Sequence, residues 1–102
     1  VHGRIHSRRR RAIKIQLNEV YTREDETYTY TLFDNKCANC GATKDLQVDH
    51  HRPLSKRNAL TRTNAVILCA ACNSSKGDKD PEVFYECNIV SVIAKKLNPD
   101  SI

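Results

Sequence analysis

Four of the five cysteines fall in two identical pairs, Cys37-Ala-Asn-Cys40 and Cys69-Ala-Ala-Cys72, with 28 residues between the pairs. Two residues between thiolates let one turn present both sulfurs to a single ion, and a second such turn completes a tetrahedron. Disulfides are the rival reading. The odd cysteine count, the charged composition and the lack of an apolar segment after the basic start favour a reducing compartment, where such spacing is more often a metal site. Zinc is therefore expected, with iron the lesser alternative for this ligand set, and the expected location is cytoplasmic. Four thiolates close the coordination shell and leave no position for water, so the ion is structural. Cys87 is left over and is expected to be a small buried hydrophobe.

Between the pairs lies a second loaded stretch, Val48-Asp49-His50-His51-Arg52-Pro53-Leu54-Ser55-Lys56, followed by Asn64 and by Asn73 directly after Cys72. A carboxylate is a hard ligand suited to Mg²⁺ or Mn²⁺, and an imidazole accepts a proton near neutral pH. Cys40 anchors the approach to Asp49 and His50, and Cys72 adjoins Asn73. One structural zinc would thus hold two halves of an open site in register.

The run from 37 to 77, with CxxCG, VDHxxPLSK and Asn64-Ala-Val-Ile-Leu-Cys-Ala-Ala-Cys-Asn-Ser-Ser-Lys-Gly, resembles the HNH endonucleases, a branch of the ββα-metal (His-Me finger) nucleases. The resemblance covers about two-fifths of the chain. It implies an α+β fold in which a two-stranded hairpin packs on a helix and clasps one divalent cation, Mg²⁺ or Mn²⁺, over a scissile phosphate. By resemblance His50 is the general base, Asp49 and Asn73 are ligands of the catalytic cation, and Asn64 is the catalytic-site residue that ties down the loop and orients the histidine. Relatives often carry a Gly-Gly turn after PLSK, whereas this chain has Arg57-Asn58-Ala59. His51 replaces a commonly apolar residue. Strand alternation points it away from His50, toward a side-chain hydrogen bond or a DNA contact.

These groups need elements to hold them. A helix is expected from about Arg9 to Tyr21 and another after Thr22, which forms a near capping box with Asp25. Cys37 to Gly41 reads as a turn, Leu46 to His50 and Ala65 to Leu68 as short strands, and Pro53 to Asn64 as a loop. Ala70 to Lys76 reads as a short helix closed by Gly77. A last helix starts at Asp80 and Pro81, with Val83, Cys87, Val90, Ala94 and Leu97 as its apolar stripe. Tyr21, Tyr28, Tyr30 and Phe33 are assigned to packing. The expected organisation is one domain over 1–102: a basic arm with N-terminal helices over 1–35, a zinc-bound core over 36–79 and a C-terminal helix over 80–102.

At 102 residues, with 39% hydrophobic and 6% aromatic residues and no Trp or Met, the core is thin and the metal compensates. No stretch approaches the roughly 18 consecutive apolar residues of a membrane span, so a soluble chain is expected. The net charge of +5 is unevenly spread. Residues 1–18 hold six Lys/Arg and no acid, and residues 36–79 hold eight basic and three acidic groups. DNA is the expected partner, with Arg52, Lys56, Arg57, Arg62 and Lys76 as phosphate contacts. For Arg8 to Arg11, phosphate contact competes with a solvated helix start. The leading function is a metal-dependent DNA endonuclease or nickase. A non-catalytic zinc-ribbon module that binds nucleic acid is the alternative, and a protein-interaction module using the acidic second helix is a third.

Overall fold

The computed structural model describes residues 20–99. The expected helix from Arg9 to Tyr21 and the arginine run fall outside these residues, apart from Val20 and Tyr21, which are not helical. The described chain has an α+β architecture: α1 (Arg23–Leu32), β1 (Leu46–His50), β2 (Ala65–Cys69), α2 (Ala70–Lys76), α3 (Pro81–Phe84) and α4 (Cys87–Leu97). Two 3-10 turns, Leu54–Lys56 and Arg62–Asn64, punctuate the segment expected to be plain loop. None of the described helices is long and apolar enough to cross a membrane.

Helix α1 starts where the sequence places it. The Thr22 hydroxyl accepts from the Asp25 amide and the Asp25 carboxylate accepts from the Thr22 amide, a complete capping box. Strands β1 and β2 pair antiparallel, with Leu46 opposite Cys69 and His50 opposite Ala65. All five residues of β2 are buried, whereas β1 is intermediate until His50. Strand β2 therefore runs through the core, with Phe33 beyond α1 and Ile93 and Leu97 of α4 in the same cluster. Two polar ties brace this packing: Tyr30 Oη donates to the Leu46 carbonyl at 3.2 Å, and Lys96 Nζ donates to the Leu32 carbonyl at 3.1 Å. The second places a cation where the α1 carbonyls are left over.

The last helix departs from expectation. It is broken after Phe84, because Tyr85 is extended (φ −87°, ψ 152°) and turns its ring into the core. The break changes which face is inside. Val83 is 71% exposed, Cys87 is exposed as the first residue of α4, and Ile93 and Leu97 carry the burial. Cys87 is thus not the buried hydrophobe that one continuous stripe suggests. Asp80 does stand at the N-cap position before Pro81, but its side chain makes no cap bond and pairs with Lys56 at 2.9 Å.

One thiol should therefore stand apart in chemistry. In the zinc-loaded protein, a maleimide is expected to modify Cys87 rapidly and the other four cysteines slowly. Mass spectrometry of the labelled peptides checks this, and a Cys87 as slow as Cys37 would place it inside.

Candidate functional site

The sulfurs of Cys37, Cys40, Cys69 and Cys72 all lie within 4.8 Å of one another, and those of Cys40 and Cys69 are 3.7 Å apart. A tetrahedron with zinc–sulfur bonds of about 2.3 Å has edges of about 3.8 Å, so the donor set fits zinc. The first pair is held by its own turn, in which Cys37 N–H donates to the Ala42 carbonyl and Gly41 N–H to the Cys37 carbonyl. Ala38 N–H then docks this turn on the Ile67 carbonyl of β2. Cys69 is at once the last residue of β2 and the N-cap of α2. Burial alone would raise the Cys37 thiol, but the Cys40, Cys69 and Asn39 amides outweigh it and bring the thiol down to about 7. Burial and the crowding thiols push Cys72 up to about 12, opposed by Asn39, whose Nδ2 lies 3.4 Å from its sulfur. A dication removes this conflict, because it stabilises all four thiolates together.

From this knot β1 and α2 run side by side. Gln47 and Asp49 are two apart on β1 and share a face, while Asn73 and Lys76 are three apart on α2 and share a face. The two faces meet in two rungs. Asn73 Nδ2 donates to Gln47 Oε1 at 2.7 Å, and Lys76 Nζ lies 2.9 Å from Asp49 Oδ2. Lys76 is fully buried and also donates to the His50 carbonyl at 2.9 Å. Its surface role is thus corrected: an ammonium at 0% exposure is a structural counter-charge to Asp49 and is not available to a phosphate on the surface. Burial raises the Asp49 carboxyl even so, with Lys76 the main opposing influence. Asp49 Oδ2 is buried and makes no hydrogen bond among the described residues beyond this ion pair. Lys76 thus occupies one oxygen of this carboxylate, a hard donor type of the kind that divalent cations take.

His50 closes β1 with 7% of its surface exposed. The chain after it is gripped by Asn64. Its Oδ1 accepts from Arg52 N–H at 2.7 Å, and its Nδ2 donates to the Arg52 carbonyl at 3.2 Å and to the Ala59 carbonyl at 3.0 Å. Asn64 therefore fixes the backbone two residues after His50. The loop it closes needs a left-handed residue after Lys56, and Arg57 takes that conformation (φ 68°, ψ 34°) without a glycine.

A family comparison can now be set beside this geometry. Residues 37–79 match the HNH endonuclease family. No curated protein and no solved structure matches the chain. The matched segment holds both cysteine pairs, the hairpin, Asn64 and α2.

His51, next to His50, is also inside. It is 6% exposed, its ring is stacked 6.0 Å from that of Tyr85, and its Nδ1 has no partner among the described residues. The DNA contact expected for it is corrected, because a buried ring does not reach a groove. Burial, with Lys76 and Arg52 nearby, lowers its pKa to about 4.

The other basic groups of the matched segment are on the surface, and three carry carboxylates. Arg52 makes a two-pronged pair with Glu82 (2.7 and 2.5 Å), Lys56 meets Asp80, and Arg62 meets Asp25 at 2.5 Å while lying 4.5 Å over the Tyr28 ring. Arg52 holds the Glu82 carboxyl down at about 2. Arg57 is exposed. Sequence reasoning missed Gln47, Asp80 and Glu82 as site residues. Gln47 was findable as the alternate residue before Asp49 on the same strand face.

Two outcomes follow from the buried charges. Lys76→Met leaves a buried carboxylate without its counter-ion and is expected to lower stability by about 3–5 kcal/mol. Adding Asp49→Asn should recover most of that loss in urea melts, and a double variant no more stable than Lys76→Met would refute the pairing. His51 has a folded pKa of about 4, below its unfolded value of 6.5, so its contribution is intact above pH 6.5 and is lost as pH falls toward 4. Relative to His51→Phe, wild-type stability should fall by about 1.4 kcal/mol per pH unit across that window, and parallel curves would place His51 in contact with water.

Proposed function

We propose that the protein is a metal-dependent DNA endonuclease or nickase that hydrolyses phosphodiester bonds. The single observation that carries this reading is the pairing of β1 with α2, in which Asp49, next to His50 in the chain, meets Lys76 and Asn73 meets Gln47, on elements that run from the thiol cluster. Asp49 and Asn73 would hold the cation, Mg²⁺ or Mn²⁺. Bound there, it supplies Lewis-acid stabilisation of the charge that develops on the phosphate and the leaving oxygen.

The chain's own residues do the rest. His50 accepts the proton of the attacking water, a task suited to an imidazole near neutral pH. Lys76 holds its carbonyl, and Asn64 holds the backbone two residues on, at Arg52. Arg57, Arg52, Lys56 and Arg62 face a DNA backbone, the last three after release from Glu82, Asp80 and Asp25. The cysteine cluster takes no part in the chemistry and fixes the distance between strand and helix.

The test uses zinc-loaded protein and supercoiled plasmid. Nicking is expected with Mg²⁺ or Mn²⁺ and not with EDTA, and His50→Ala should lose about 10²–10⁴-fold in rate. Plasmid that is bound but never cut under any metal would turn the reading to a non-catalytic nucleic-acid-binding module.

A further inference from the structure

The two rungs between β1 and α2 are crossed. Each expected ligand is held by a residue that is not a ligand and that stands on the opposite element: Asp49 of β1 by Lys76 of α2, and Asn73 of α2 by Gln47 of β1. We infer that Gln47 is a positioning residue for the cation site, holding the Asn73 carboxamide with its nitrogen toward the strand and its oxygen toward the cation. The inference rests on the proposed reading of Asp49 and Asn73 as ligands.

A carboxamide has two ends of nearly equal shape, and only the oxygen ligates a hard cation. Rotation by half a turn about the last side-chain bond exchanges them, so an asparagine ligand needs something to choose its orientation. Gln47 biases that choice as it stands: its Oε1 accepts from Asn73 Nδ2 at 2.7 Å, so a turned-over Asn73 would set two carbonyl oxygens against each other unless the Gln47 carboxamide turned over with it. Both residues are half-buried, which limits competition from water. The periodicities are consistent with both contacts: Gln47 is two earlier than Asp49 on the strand, and Asn73 is three earlier than Lys76 on the helix. Lys76 performs the matching service for Asp49, taking one carboxylate oxygen. Partners of this kind tune a metal site by orienting its ligands, and their loss typically weakens binding 10–100-fold.

The experiment measures Mn²⁺ binding to the zinc-loaded full chain without DNA, from the loss of the free Mn²⁺ EPR signal. Gln47→Leu is expected to bind Mn²⁺ about 10–100-fold more weakly than wild type. Gln47→Glu, which can only accept from Asn73 Nδ2, should bind at least as tightly as wild type. Gln47→Met serves as a second apolar replacement, and thermal melts confirm that each variant is folded. Wild-type affinity in both apolar variants, or a Gln47→Glu as weak as Gln47→Leu, would overturn the inference while leaving the ligands in place. Unchanged affinity in Asn73→Ala would instead sink the ligand assignment, and the inference with it.

Discussion

The convergence of four thiols at one point is the constraint from which the rest of the molecule is built. Cys69 shows why: it ends β2, caps α2 and supplies a sulfur, so one residue fixes where the strand stops and the helix starts. Cys37 and Cys40 bring the approach to β1 to the same point, and the Ala70 amide reaches back to the Asp45 carbonyl just before β1 begins. Without an ion the cluster works against itself, since one thiol is drawn toward ionisation while another is driven away from it. A metal ion held there would couple the folding of this small domain to metal loading.

A second layer of organisation is polar and interior. A chain with few aromatic residues has little apolar area with which to specify a unique arrangement. Here the hairpin and helix are indexed to each other by an amide pair and a buried ion pair. Such a pair adds little net stability compared with packed hydrocarbon, because desolvating two charges is costly. Its effect is on register. Slippage by one residue along β1 would strand a buried ammonium, which is a stronger prohibition than a misplaced methyl group.

Much of this was legible in the sequence where local rules govern. Leu46–His50 and Ala70–Lys76 were read from periodicity, from Pro53 and from Gly77, and the capping box at Thr22 needs only Asp25 three residues on. The cysteine cluster followed from spacing. What failed depends on contacts between distant residues. The heptad-like stripe through Val83 and Cys87 fits one long helix, and only the burial of Tyr85 against His51 and Phe84 shows why the chain breaks there. Lys76 reads in the sequence as one more phosphate contact beside Arg52, Lys56, Arg57 and Arg62, and its burial is decided by Asp49, 27 positions earlier in the chain. Strand alternation sets Gln47 on the face of Asp49, but its contact with Asn73 depends on how α2 packs against that face.

The surface ion pairs have a thermodynamic consequence. With Arg52, Lys56 and Arg62 each carrying a carboxylate, a polyanion that docks at this face enters by exchange, displacing Glu82, Asp80 and Asp25 from cations they already neutralise. Fewer small ions are then liberated than a count of arginines and lysines suggests, and the dependence of affinity on salt becomes correspondingly shallow. A polyanion would recover what such an exchange gives up only where its negative groups stand in for the displaced carboxylates.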